Sequence, residues 1–357
     1  MKKLKEFIKL ILSNKAVRNT RRRSGKIWHS AVSSTYLFSI PMSSLGPVTF
    51  MREQRAVRAG KGRYYKNISN QQSKTMAGLR RNVHRLEKAL IMKPRRDSFA
   101  KDYIVETVEW YKKVLTKNKT NKHDESELIW ANNVLIEYFA VVKPVGAITE
   151  AKKIFETVDY NPRTTDMKPF KRTKTKNLPT YDQLLDLSMY RRSVRWFKKE
   201  QVSREIIDKA LLVARQSPTA CNRMPYEFRI FDDPDLVKKY ANTPFGTGGY
   251  ADNIPTIAVV VGKLDSYFSA RDRHAIYTDS SLAIMGFVYA LESQGASSCL
   301  INWPDFEPLE RKMQKQLKLR VDERPIMLIA IGYEDKTTMV PRSVKKDLDT
   351  IRRYNFE

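Results

Sequence analysis

The chain has 357 residues, 41% of them hydrophobic, and a formal net charge of +27 from 66 Lys/Arg against 39 Asp/Glu. That length suggests two domains, or one domain with a large extension, and the apolar content supports a sizeable core. Two cysteines, Cys221 and Cys299, with no Cys/His cluster, exclude a disulfide framework and a structural zinc site and fit a reducing compartment such as the cytoplasm, and four scattered histidines argue against a His-based metal site; no apolar run nears the ~20 residues of a membrane-spanning helix.

The charge is unevenly placed. Residues 1–180 hold 39 Lys/Arg and 15 Asp/Glu, giving +24, whereas residues 181–357 hold 27 and 24, giving +3. This asymmetry argues for two parts with different jobs: a basic, mostly helical region with a linker over 1–179, and a near-neutral domain over 180–357. At the N-terminus, Leu4, Phe7, Ile8 and Ile11 share a helical face opposite Lys2, Lys5 and Lys9. Such a helix can lie on an anionic membrane or dock on its own protein, and the second is the commoner use. No small-residue cleavage site precedes Arg21–Arg23, so the segment does not read as a signal peptide. Residues 13–75 are basic and poorly periodic, and read as loops or extended arms. Leu79, Val83, Leu86, Leu90 and Ile91 form a helical stripe; further helices are expected over 98–116, 124–140 and 147–157. The proline- and lysine-rich stretch 160–179 reads as a linker or wrapping arm.

From 180 the pattern tightens. Thr180 and Gln183 form a capping box for a short helix, YDQLLDLSMY, and Ser203 caps a second with Ile206, Ile207, Ala210, Leu211 and Ala214 inward. YEFRIF (226–231) alternates like a half-buried strand. TIAVVVG (256–262) and IMLIAIGY (326–333) are continuous apolar runs, expected as central strands, and SSCLINW (297–303) is a shorter one. TDSSLAIMGFVYALESQG is apolar nearly all round and stops at Gly295, as a buried helix does. No GxGxxG follows a strand, so a Rossmann unit is not supported. The fold class is α+β: a mixed, mainly antiparallel sheet flanked by helices, with a mostly helical N-terminal extension.

Two stretches carry chemistry. RRSVRWF sets Arg191, Arg192, Ser193 and Arg195 within five residues, a ready clamp for phosphate because a guanidinium can engage two oxygens at once. The plain alternative is a solvated basic turn. ARQSPTACNRMPYEF (214–228) places two prolines seven residues apart between a helix and a strand, which makes it an ordered connection built of small and polar groups.

Together with GTGGYADNIPTIAVVV, DSSLAIMGFVYALESQGASSCLINW and the closing IAIGYEDKTTMVPRSVKKDLD, in that order, these stretches resemble the nitroreductase family of flavoproteins over about residues 181–357. Five motifs in order are specific where one alone is not. The resemblance implies an FMN-binding homodimer with two sites at the subunit interface, reduced by NAD(P)H and reoxidised in a ping-pong cycle by an unidentified small-molecule electron acceptor, for which nitro and quinone compounds serve as test acceptors. It assigns the FMN phosphate and ribityl chain to Arg191, Arg192, Ser193 and Arg195, and the rest of the phosphate clamp to Arg342 and Lys345. Pro218, Thr219 and Ala220, with Asn222 behind them, would form a wall beside the flavin ring donated by the partner subunit. Leu300, Ile301 and Asn302 would cover the other ring face, and Thr247 would reach the pyrimidine side. It implies no side-chain acid or base for the first half-reaction, so no catalytic residue is assigned.

Met224 stands where many members have Gln, and Asn302 where some carry Glu, so those members' substrate preferences do not transfer. Cys221 reads as a small buried residue, since free cysteine usually packs as a hydrophobe. Trp303 and Tyr226 read as core residues before pocket ones. Two other classes stay open at this point. One is a non-catalytic flavin-binding protein whose basic half docks to an anionic membrane surface, an acidic polymer or nucleic acid; the retained arginines and proline turn argue against it. The other is a nucleic-acid binder, for which no recognised motif is present.

Overall fold

The two longest apolar runs lie side by side at the centre of a four-stranded sheet in the computed structural model, which describes residues 48–70, 76–118, 125–173 and 177–355. The strands are β1 (Tyr226–Phe231), β2 (Thr256–Lys263), β3 (Ser297–Asn302) and β4 (Glu323–Gly332), in spatial order β1-β2-β4-β3. All three pairings are antiparallel, and a single parallel bridge, Ser193 to Ser298, flanks β3 on its outer side. The central position of β2 and β4 explains their composition. Ile257, Val259, Val261, Leu328 and Ala330 pack on one face of the sheet, and Ala258, Val260, Ile326, Ile329 and Ile331 on the other. A strand buried on both faces has no polar side to show. β1 is half-buried along its whole length, as its alternation predicts for an outer strand.

Helices α1 to α5 precede this sheet: Val48–Asn70, Ala77–Leu90, Ile104–Asn118, Glu125–Val141 and Ala147–Glu156. Next come α6 (Tyr181–Tyr190) and α7 (Arg204–Ala214), then α8 (Pro234–Ala241), α9 (Ala275–Glu292), α10 (Glu307–Leu317) and α11 (Leu348–Ile351). Helices α7 and α9 cover one face of the sheet, and α8 and α10 the other. The expected capping box of α6 is formed, with Gln183 N–H on Thr180 Oγ1 at 3.2 Å and Thr180 N–H on Gln183 Oε1 at 3.0 Å. Asp233 caps α8 by accepting from the Asp235 and Leu236 N–H groups, and sequence reasoning assigned neither α8 nor α10. Helices α2 to α5 close on a separate core that includes Leu79, Leu86, Ile104, Tyr111, Leu135 and Ile148.

The chain separates into two compact units, Met1–Arg55 and Ala56–Glu357. The bundle α2–α5 and the sheet therefore share one unit. The expected amphipathic helix over 2–12 lies outside the described residues. The expectation of loops or arms over 13–75 is corrected by α1, which runs from Val48 to Asn70. Its buried face is made of Ala56 and Tyr64, with Gly60 between them at the same helical spacing. Only small side chains and one aromatic mark that stripe, so no hydrophobic periodicity signals it. At Gly60 a Cβ would stand 2.7 Å from the Leu264 Cβ, which shows how closely the helix approaches the segment after β2. One turn on, Arg63 Nε pairs with the fully buried Asp322 carboxylate at 3.0 Å.

Candidate functional site

The three arginines of RRSVR follow directly on α6. Val194 N–H donates to Ser298 O at 3.1 Å, and Lys198 N–H to Tyr333 O at 2.8 Å, so this segment is laced to the outer side of β3 and to the end of β4. Arg191, Arg192, Ser193 and Arg195 are all half-buried there. Arg192 Nη1 donates to Arg191 O at 2.9 Å and Arg195 Nη1 to Ser193 O at 3.3 Å. No carboxylate forms an ion pair with any of the three among the described residues. A half-buried guanidinium that forms no ion pair has lost hydration without gaining a full counter-charge, and an anion restores the balance.

The Thr247 turn joins this group. Thr247 is buried and donates its hydroxyl to Pro244 O at 3.1 Å, and next to it Gly246 lies against Ile301 of β3. Tyr250, three residues on, lies 5.8 Å under the Arg195 guanidinium, with its hydroxyl 3.9 Å from Cys299 Sγ. Burial pushes the Tyr250 phenol up to about 12, with Cys299 adding to the rise and Arg195 opposing it. On β3, Leu300 is half-buried, Ile301 buried and Asn302 exposed. Glu292, at the end of α9, accepts from Ser297 Oγ at 3.3 Å. Burial pushes its carboxyl up to about 7, against the pull of the Ser297 hydroxyl and Arg191. The C-terminal segment departs from the same place, Asp335 N–H bonding Trp196 O at 3.1 Å; Arg342 and Lys345, further along it, are exposed. One chain thus gathers Arg191, Arg192, Ser193, Arg195, Thr247, Leu300, Ile301 and Asn302 around β3.

Pro218, Thr219, Ala220 and Asn222 are not part of that gathering. Their loop leads into β1, the opposite outer strand, three strand spacings or about 14 Å from β3. Pro218 and Ala220 are exposed, Thr219 and Asn222 half-buried. The backbone here is left-handed at Cys221 (φ 55°), Asn222 (φ 52°) and Met224 (φ 49°). Outside glycine that conformation costs roughly 1–2 kcal/mol per residue, and such strain persists only where surroundings over-determine it. The expectation that Cys221 is a small buried residue is corrected: it is half-buried on this strained turn.

Several bonds hold the turn. Asn222 N–H reaches Thr219 O at 2.9 Å, Met224 N–H reaches Thr219 Oγ1 at 3.1 Å, and Ser217 Oγ donates to Leu282 O at 3.2 Å. Asp279 of α9 accepts from Ala220 N–H at 3.0 Å and from the Tyr267 hydroxyl at 2.8 Å. Burial holds the Asp279 carboxyl above the usual range, against those two bonds and the nearby Arg223. Arg223 is buried with its guanidinium 4.7 Å over the Tyr267 ring. Trp303 is buried and donates its indole N–H to Glu310, while Tyr226 is half-buried beside Phe228.

Sequence reasoning missed Asp279, Tyr250, Glu292 and Arg223. Asp279 had a signal, as an acid inside a helix otherwise apolar all round. Arg223 had none beyond its place in the loop. Among the described residues no three His, Cys, Asp or Glu side chains group to hold a metal ion, and no helix is long and apolar enough to cross a membrane.

Residues 189–248 and 243–333 match the Nitroreductase family model. An iodotyrosine deiodinase of Haliscomenobacter hydrossis is 26% identical over 194 residues, covering 47% of this chain and 85% of its own length. A protein of Archaeoglobus fulgidus named as an NADH dehydrogenase/NAD(P)H nitroreductase is 26% identical over 177 residues, 49% of this chain and 94% of its own. An FMN-dependent nitroreductase structure from Clostridium difficile R20291 superimposes with a TM-score of 0.42 at 21% identity, over 48% of this chain and 99% of that one. Residues 189–333, the part of the chain that matches this family model, hold the arginine cluster, the strained loop and the whole sheet.

Proposed function

We propose that the chain is an FMN-dependent oxidoreductase that accepts hydride from NAD(P)H and then reduces a small-molecule acceptor in a separate half-reaction. One observation carries this: three half-buried arginines stand beside β3 with no carboxylate partner among the described residues. That arrangement fits the FMN phosphate. Arg191, Arg192, Ser193 and Arg195 would bind it, with Arg342 and Lys345 closing over it from the C-terminal segment. Leu300, Ile301 and Asn302 would lie against the ring and Thr247 near its polar end. When bound, FMN supplies the redox chemistry, and the protein supplies binding and orientation. No side chain here is assigned to proton transfer.

The site is proposed to need two chains. Pro218, Thr219, Ala220 and Asn222 stand at the far side of the sheet from the arginines, and a second copy would bring its own loop to this chain's β3. Helix α6 favours a homodimer, because none of its residues is buried although Tyr181, Leu184, Leu185, Met189 and Tyr190 are all exposed. The free cysteines accord with the cytoplasm. The name of the Archaeoglobus relative supports the nicotinamide donor; that of the Haliscomenobacter relative adds an iodinated tyrosine to nitro compounds and quinones as acceptor classes.

The visible spectrum of the purified protein, before and after anaerobic NADH or NADPH, tests the proposal. Flavin absorption that bleaches with nicotinamide supports it, and a panel of nitroaromatic, quinone and iodotyrosine acceptors then sorts the second substrate. A colourless protein that takes up no added FMN overturns it.

A further inference from the structure

We infer that Arg80, more than a hundred residues before the family-matching segment, is a positioning residue for the Thr219–Met224 loop, so that the helical bundle sets the shape of a cofactor wall. This rests on the proposal that the loop borders the flavin.

Arg80 lies on α2 and is 8% exposed. Its Nε donates to the backbone carbonyl of Asn222 at 2.5 Å, and its Nη1 to Glu127 Oε1 of α4 at 2.5 Å. The guanidinium sits 5.5 Å from the centre of the Trp130 ring, also on α4, and Trp130 Nε1 donates back to Glu87 of α2 at 2.9 Å. The cation is therefore fixed by two helices before it meets the loop. A surface arginine that merely touches a neighbour has no such mooring.

The bond lands on the residue where direction matters most. Asn222 is left-handed, flanked by left-handed Cys221 and followed at 224 by left-handed Met224. A carbonyl on a left-handed residue points elsewhere than one on an extended or right-handed residue. A fixed cation that accepts only the first direction selects the strained turn over its relaxed alternatives. Asp279 and Thr219 hold Ala220, the Asn222 N–H and Met224 from inside the domain, but neither addresses the Asn222 carbonyl. Arg80 does, and it comes from a bundle with its own core. The bundle thus acts as an external brace on the loop, and in the proposed dimer each brace serves the partner's site.

The test uses the full chain. Arg80→Met keeps the stem against Trp130 and removes the donors; Glu127→Gln perturbs the pairing within the bundle and leaves the Arg80–Asn222 bond. Hydrogen exchange of the 217–224 peptide and FMN Kd by flavin fluorescence quenching are read for each. The expected result is about tenfold weaker FMN binding in Arg80→Met, with faster exchange confined to 217–224 and a smaller change in Glu127→Gln. Adding Cys221→Gly, which lowers the cost of one left-handed residue, should restore most of the loss. Wild-type exchange and Kd in Arg80→Met overturn the inference. So does an equal rise across bundle and loop that Cys221→Gly does not rescue, because that marks a role in bundle stability alone. Should Arg80→Met not fold, Arg80→Lys is read the same way, since an ammonium cannot reproduce the two-armed bond to Glu127 and Asn222. Should the wild type take no FMN, the flavin proposal fails separately; faster exchange confined to 217–224 in Arg80→Met still sustains the brace, and its absence overturns it.

Discussion

The arginine cluster beside β3 and the strained loop before β1 are two halves of one proposed site built on opposite plans. The cluster is held by its own domain through backbone bonds to Ser298 and Tyr333, and its arginines form no ion pair among the described residues. The loop's backbone is bonded by groups reaching in from α9 and from the N-terminal bundle. One half is rigid in the backbone and open in chemistry; the other is strained in the backbone and closed by its neighbours. On the proposed reading, binding capacity and shape are set by separate parts of this chain, and four changes can break or sharpen that division.

The largest effect is expected at the open half. Arg191→Ala with Arg195→Ala removes two charge-assisted contacts to a phosphate, each worth about 1.5–3 kcal/mol. FMN binding should weaken by a hundredfold or more while the melting temperature stays near wild type. A variant that keeps full flavin occupancy on fluorescence titration would contradict the phosphate assignment. Next is Asp279→Ala at the closed half. It strips the acceptor from the buried Tyr267 hydroxyl and from Ala220 N–H, and an unpaired buried polar group costs about 1–3 kcal/mol. Here stability should fall together with flavin affinity, and calorimetry beside the titration shows whether the two move as one.

Gly60→Ala lies further off. Its new methyl would stand 2.7 Å from Leu264 Cβ and 2.8 Å from the Leu264 carbonyl carbon, so α1 must lift from that segment at about 1–3 kcal/mol. Leu264 is three residues from Tyr267, the ring beneath Arg223, so a small loss of flavin affinity should accompany the lower melting temperature. Unchanged affinity would show that the loop does not depend on α1.

The smallest effect concerns pH. The Glu292 carboxyl, raised to about 7 chiefly by burial, lies within the field of Arg191. A phosphate at Arg191 adds negative charge nearby and raises that carboxyl further, so binding takes up a proton. Flavin affinity should therefore fall as pH rises through 7, by about threefold, and Glu292→Gln should flatten the profile. An affinity that rises over the same range would place the phosphate elsewhere.

Much of the sheet is legible in the sequence, and the reason is local. Strands β2 and β4 are apolar on both faces and β1 is half-buried throughout at the edge of the sheet, so hydrophobicity alone marks their extents to within a few residues. Helix α1 escapes notice because Ala56, Gly60 and Tyr64 bring it close without a stripe of large side chains. The arginine cluster announces itself because three guanidinium groups in five residues are chemically conspicuous. Arg80 does not: beside Arg81 and Arg85 it reads as part of a solvated basic face, and only the tertiary approach of α2 to the loop turns it inward. Left-handed turns at Cys221 and Met224 are equally silent, since neither residue type favours them.

The bare apolar surface of α6 has a consequence for handling the protein. Arg191 follows the last residue of that helix, so the proposed anion clamp hangs from an element none of whose residues is fully buried among the described residues. If a second copy covers α6, subunit association and flavin retention draw on one equilibrium. Occupancy should then track protein concentration, and a sample diluted below the association constant should shed its colour before it unfolds.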